Sequence, residues 1–220
     1  MNKILLLVFV VVIVLVGVFF IWPTNSEMPG PVEEQDKLVV LTDGAYGVDP
    51  VASELNWEGR KTLIPNYVDR GTVAISGGDL MVVEGAITAG EVSFDMTKIE
   101  AKTTGKESGE SMLTNHLKSA DFFDVVKFPT ANLKMVSLTK DDAGQYQLKA
   151  NLTIKNITKE ISLPVVVNQT GDTLKVTGQT EIDRTLWDIK YASTKFFADL
   201  ADKVIADEVG ISFTLITKLK

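Results

Sequence analysis

Cysteine is absent from the 220 residues. That excludes disulfides, thiol nucleophiles, thiolate metal sites and a lipidated N-terminal cysteine. Histidine is nearly absent: His116 is the single one. A Ser–His–acid triad or a histidine metal centre would have to be built around it, and beside Leu117 it reads as a packing or surface residue. Basic charge is in deficit, with 22 Lys and Arg against 29 Asp and Glu for a net charge of −7. An acidic chain offers no basic footprint for nucleic acid. No Gly-rich phosphate loop precedes a helix. The acids of residues 27–36 and 199–208 lack the spacing of a calcium-binding loop and read as solvated faces. Asn151, Asn156 and Asn168 each begin an Asn-x-Thr triplet, which threonine-rich strands produce by chance. No catalytic, metal or cofactor site is expected.

Polar side chains are missing from residues 4–22. About nineteen residues rising ~1.5 Å each span roughly 28 Å, close to the ~30 Å of a bilayer core. Lys3 lies on one flank, Trp22 marks the other edge and Pro23 ends the helix. The positive flank keeps the N-terminus cytoplasmic and places the rest across the membrane. A cleaved signal peptide is the competing reading, but the apolar run exceeds the ~7–15 residues of a signal core and no A-x-A-like site follows it. Both readings export the remainder. Residues 23–37 (PTNSEMPGPVEEQDK) are rich in Pro, Gly and acids and read as a tether. Three parts result: an anchor over 1–22, a linker over 23–37 and a domain over 38–220.

What is present after residue 38 is β-sequence. Tyr146, Leu148, Ala150, Leu152 and Ile154 alternate with polar residues, and after NITKE the alternation resumes at Ile161, Leu163, Val165 and Val167. Two period-two runs with a short polar connection predict an antiparallel hairpin with one dry face. Pro164 lacks an N–H, so it belongs at an edge, a bulge or a non-bonded position. Further short strands are expected around Val51, Ser53, Leu55 and Trp57, around Val73 and Ile75, over residues 80–87, and around Val92, Phe94 and Met96. Others are expected at Leu133 and Met135, at Leu174 and Val176, over residues 179–191, and at Val209 to Leu215. Turns are expected at Asp49 and Pro50, GGD (77–79), Ala89 and Gly90, residues 141–144 and residues 168–172. A polar loop over 103–110 leads to a helix over 112–118 capped by Ser111, and a brief helical turn falls within 196–203. About eight strands with one apolar face each suit either a closed barrel or a two-sheet sandwich.

Four ordered runs resemble the YceI-like family: GEVSFDMTKI (90–99), LKSADFFDVVKFPTA (117–131), LTIKNITKEI (152–161) and IDRTLWDIKY (182–191). The resemblance covers roughly residues 44–218. The chain departs from the family pattern at EGR (58–60), Asn156 and Asp188, all near turns or strand ends. The resemblance implies an all-β fold: an extended eight-stranded antiparallel lipocalin-like barrel with one or two short helices. It also implies an isoprenoid or related amphiphilic lipid in the lumen, usually outside the cytoplasm.

On that reading Leu55, Trp57, Val92, Phe94, Leu133, Leu148, Leu152 and Ile154 line the lumen, joined by Trp187 and Tyr191. The same side chains could instead meet and fill the interior, leaving a structural module that recruits partners. Arg184 has two readings: a contact for a polar or phosphate head group, or a clasp to Asp183, Asp95 or Asp188 stacked on Trp187. Nothing in the sequence sets an oligomeric state.

Overall fold

The structure, a computed structural model, describes residues 40–104, 109–141 and 144–220. The proposed anchor and linker, part of the 103–110 loop and the tip of the 141–144 turn lie outside the described residues. Among the described residues no helix is long and apolar enough to cross a membrane.

Among the described residues nine strands form one sheet: β1 (Gly44–Val48), β2 (Glu54–Arg60), β3 (Val68–Val83), β4 (Ala86–Thr103), β5 (Thr130–Lys140), β6 (Tyr146–Ile154), β7 (Ile157–Thr170), β8 (Thr173–Asp183) and β9 (Glu208–Leu219). All pairings are antiparallel; from β2 to β9 each strand pairs with the next in the chain, and β9 returns to pair with both β1 and β2. Both β1 and β2 also pair with β3, so together they fill one place in the ring. The result is an eight-position closed barrel with a single interior, which decides against the sandwich. Every ladder lies within the compact unit Leu38–Lys220.

The break between β1 and β2 has a local cause. Asp49 Oδ1 accepts from the N–H groups of Val51 and Ala52, each at 3.1 Å, and folds the chain outward. Ser53 Oγ then accepts from Ile216 N at 2.9 Å, patching the ladder that the excursion interrupts. Val51 is therefore 95% exposed rather than sharing a face with Leu55 and Trp57.

The largest correction concerns β3 and β4. Residues 77–79 and 89–90 are not turns. Both lie inside one long hairpin whose turn is Glu84 and Gly85, with φ of 53° and 74°. Gly77 (φ 151°) sits beside a register shift, and the buried positions change parity there, from Val73 and Ile75 to Leu80 and Val82. An extra residue in one strand moves every later side chain to the other parity. Paired glycines permit positive φ, but that serves a bulge as well as a turn.

Other expectations shift less. The 146–167 hairpin forms with a two-residue turn, Lys155 and Asn156 (φ 49° and 60°), so β7 starts earlier than expected. Pro164 lies opposite Gln147, and the ladder to β8 starts one residue later at Val165, so no β8 partner demands its missing N–H. Asn168 and Gln169 remain in β7, and the turn is confined to Gly171 and Asp172. Residues 173–183 are one strand, followed by a 3₁₀ turn, Arg184–Trp187, instead of strand. A second 3₁₀ turn is Ala201–Lys203. The helix, α1 (Glu110–Lys118), begins after Gly109 with no side-chain cap, so Ser111 does not cap it.

Two unlike poles follow from the topology. One carries the β3–β4, β5–β6 and β7–β8 turns. There Tyr46, Val82, Leu174 and Thr217 are essentially inaccessible and form a solid floor. Residues 40–43 lie over it. Tyr46 Oη donates to Thr42 O at 2.8 Å, Gln169 bonds both Thr42 N and Thr42 Oγ1 at 2.8 Å, and the Asp43 carboxylate holds the N–H groups of Glu84 and Gly85. The opposite pole carries the β2–β3, β4–β5, β6–β7 and β8–β9 connections, including α1 and both 3₁₀ turns.

Candidate functional site

Above the floor the barrel is hollow. A cavity of about 250 Å³ runs between the inward rows of the strands. Leu55, Trp57, Val92, Phe94, Leu133, Leu148, Leu152, Ile154 and Trp187 all line it, as does Arg184. Leu55, Leu133, Ile161 and Phe213 point inward yet keep accessible area, because the void touches them. The polar side chains of the lining, Arg60, Lys61, Asp69, Thr180 and Arg184, belong to strand ends at the connection-rich pole, which is therefore the mouth. Among the described residues no group of three potential metal ligands comes together.

Each family-like run builds a different part of this site. Residues 90–99 supply Val92, Phe94 and Met96 to the wall, while Asp95 faces out to Thr97 and Lys98. Residues 152–161 supply the β6–β7 corner. Residues 117–131 end α1 and fold back over the mouth. Ser119 Oγ donates to His116 O, Phe123 N to Leu117 O and Phe128 N to Asp124 O, and the turn buries Leu117, Phe122 and Val125. Leu117, Phe122 and Phe123 thereby join the lining, a contribution the period-two pattern of strands could not reveal.

Residues 182–191 make the rim. Asp183 Oδ1 accepts from Thr185 N at 2.9 Å and Thr185 Oγ1 at 2.6 Å, which starts the 3₁₀ turn. Trp187 is 1% exposed and donates Nε1 to Leu152 O at 3.1 Å, pinning the turn to β6. Tyr191 is placed elsewhere. It is 39% exposed, outside the lining, with its ring 4.6 Å from His116 and 5.3 Å from Phe122. His116 also meets Asp121 Oδ2 at 3.1 Å, so it serves as a packing joint between α1 and the β8–β9 connection.

Arg184 is a clasp, with partners other than those expected. Its Nε, Nη1 and Nη2 donate to the carbonyls of Ala206, Ile189 and Ile205 at 3.0, 2.7 and 3.2 Å, and Asp207 lies 3.7 Å away. Burial pushes its pKa down, and the neighbouring carboxylates of Asp207, Asp183 and Glu208 oppose the shift. Lys195 Nζ bridges Asp183 Oδ2 at 2.7 Å and Asp207 Oδ2 at 3.1 Å. Burial alone would raise the Asp183 carboxyl, but Lys195 and Thr185 outweigh it and hold it below the usual carboxylate range. The long 184–207 connection is thus fastened to the rim by charge; Lys195 carried no signal in the sequence, and Asp207, expected on a solvated face with the other acids of 199–208, is instead buried because Arg184 and Lys195 pair with it.

A closed antiparallel barrel with a solid floor, a dry lumen and one mouth is the build of a lipocalin-like protein. The chain belongs to the YceI-like family, whose domain model matches residues 46–216. Among curated relatives, a UPF0312 protein of Vibrio cholerae serotype O1 is 33% identical over 86 residues, 36% of this chain and 43% of that one. Protein YceI of Salmonella arizonae is 29% identical over 80 residues, 36% of this chain and 41% of that one. These alignments span less than half the length of either relative. Among solved structures, BcnA of Burkholderia cenocepacia matches with a TM-score of 0.59 at 20% identity, over 77% of this chain and 98% of that one. A polyisoprenoid binding domain from Saccharophagus degradans, implicated in plant cell wall breakdown, matches at 0.60 and 15%, over 80% and 99%. At such identities the likeness is one of fold.

Proposed function

We propose that this chain is a membrane-tethered, extracytoplasmic lipid-binding protein that holds a polyisoprenoid or similar long amphiphile in its lumen. The observation that carries the reading is the apolar void of about 250 Å³. It lies between the ~150 Å³ that admits a benzene-sized guest and the ~300–1,000 Å³ of clefts for drug-sized ligands. Such a slot suits a slim hydrocarbon chain and rejects a bulky one. Each methylene that leaves water contributes about 0.8 kcal/mol before ordering costs. The guest's polar end stays at the mouth, where Lys61 offers a cationic contact, whereas Arg60 is paired with Glu58 and Arg184 is engaged by three carbonyls. Holding, without covalent change, is the activity. Among the described lining residues Asp69 is the single carboxylate, where acid–base work by paired carboxylates needs two. The apolar run at residues 4–22 supports tethering and export. A filled barrel needs packed side chains where this one has space, which disfavours the structural-module alternative.

The test uses residues 38–220, which contain the whole closed sheet. Its two tryptophans, Trp57 and Trp187, both line the lumen. Native mass spectrometry with lipid extraction should find a bound chain lipid, and an added polyisoprenoid should change the tryptophan emission with saturation. A domain that is always recovered empty and whose emission no isoprenoid alters would end this reading.

A further inference from the structure

Thirteen large apolar side chains among the described residues are exposed, and seven of them sit on the mouth-end connections. They are Leu63 in the β2–β3 loop, Met112 on α1, Val126 after it, and Leu186, Tyr191, Phe196 and Phe197 in the β8–β9 connection. The others are scattered over the walls and the floor end. The mouth connections are also joined to each other. Thr62 N donates to Val204 O at 3.3 Å, and Tyr191 meets His116 of α1. This end thus has an apolar rim around the opening of an apolar lumen.

Charge is distributed to match. The four mouth connections hold nine Lys or Arg against eight Asp or Glu, a net of +1, while residues 38–220 hold 20 against 25, a net of −5. The remainder of the domain, its walls and floor end, therefore carries −6 in sum, so an anionic lipid surface is opposed by that remainder and not by the mouth. Lys190 Nζ lies 5.0 Å from the Phe196 ring centroid and Lys61 Nζ 4.6 Å from that of Tyr67. A lysine head over an aromatic ring gives an apolar body and a charged tip, which suits the headgroup layer of a bilayer.

We infer that the mouth rim docks on an anionic lipid surface, seating its exposed side chains in the headgroup boundary so that the guest passes between bilayer and lumen without crossing water. The inference rests on the lumen reading above. A hydrocarbon chain is insoluble, and an opening ringed with apolar side chains removes the aqueous gap from its path. A protein partner is the alternative occupant. It has no need for the rim to surround the opening.

The experiment compares residues 38–220 with two triple variants. One is L63Q/V126Q/F197Q, at exposed rim positions outside the cavity lining. The control is V51Q/V136Q/V166Q, equally exposed on the walls and the β1–β2 corner. Unchanged circular dichroism and melting temperature establish that both are folded; a variant that fails this is replaced by its single substitutions. Flotation with phosphatidylcholine–phosphatidylglycerol vesicles should recover the wild-type domain and the control, and the rim variant at least ~10-fold less. Uptake of a fluorescent polyisoprenoid from vesicles should slow by a similar factor in the rim variant. Its equilibrium binding from detergent-dispersed guest should not change. The inference is overturned if the wild-type domain ignores vesicles, if the control loses as much as the rim variant, or if cross-linking in intact membranes puts the rim against a protein instead. Failure to bind guest from detergent, with vesicle flotation intact, would sink the lumen reading and leave the docking surface standing.

Discussion

Arg184 shows how one residue holds the rim. A guanidinium that is 5% exposed is stable there because its donors meet three carbonyls and a carboxylate lies close by. Arg184→Met would leave those carbonyls and Asp207 without it. We expect a loss of about 3–5 kcal/mol in urea unfolding, and Arg184→Lys to rescue little because a point charge cannot serve three directions. Trp187→Phe keeps most of the packing and deletes the bond to Leu152 O. It should cost about 1–3 kcal/mol, read as a lowered urea midpoint with unchanged slope. Acid acts through Asp183. Its carboxyl titrates lower in the folded chain than in the unfolded one, so its contribution is complete above about pH 4 and fades as pH falls through the folded value. Amide protection factors in residues 184–207, corrected for the intrinsic pH dependence of exchange, should therefore fall below that pH. In Asp183→Asn the protection should already be low at neutral pH and lose less on acidification.

At the level of elements, β3 carries the clearest lesson. Its two halves each alternate correctly, yet they belong to one strand. A Cβ at Gly78 would stand 2.3 Å from Glu91 O and 2.9 Å from Val92 Cα, while one at Gly77 meets nothing within 4 Å. Both positions have φ near 150°, so both disfavour side chains, but only Gly78 also faces a clash. Gly78→Ala should lower the melting temperature clearly more than Gly77→Ala. Equal effects would mean that backbone conformation alone, and not the approach of β4, selects glycine there. The β6–β7 hairpin is the opposite case. Its alternation is unbroken, its turn is local, and both strands were legible in the sequence apart from where the turn begins. The 182–191 run was legible as a motif but not as an element. Leu186 and Trp187 look like strand residues, and only the Asp183 cap and the Trp187 bond to β6 make them a 3₁₀ turn.

For the whole molecule the decisive property is the empty space. Filling it is the direct test. Leu133→Phe with Ile161→Phe places larger rings against the void from two strands. Overpacking a full core typically costs ~1–3 kcal/mol, whereas filling a cavity is neutral or stabilising. We expect the melting temperature to hold or rise while guest affinity falls at least ~10-fold. A strong destabilisation with no loss of binding would place the guest somewhere other than the lumen. Bound guest should raise the wild-type melting temperature with increasing guest concentration, as any ligand selective for the native state must.

Residue order alone was enough to read the domain as all-β, to tell which faces of most strands are dry, and to name nine of the ten apolar positions expected around the lumen. These follow from local period-two patterning and from four runs that resemble one family. It also determined what the protein does without, since one histidine and no cysteine are facts of composition. Chain closure and packing were needed to show that β1 and β2 share one place in the ring, that the glycines of β3 make a bulge, that Tyr191 turns outward to His116, and that Arg184 is spent on three carbonyls, two of them more than twenty residues away. Above all they decided that the barrel is hollow. A side chain's inward direction is set by its neighbours along the strand, but whether it meets another side chain across the axis depends on the ring's closure, which no local pattern encodes.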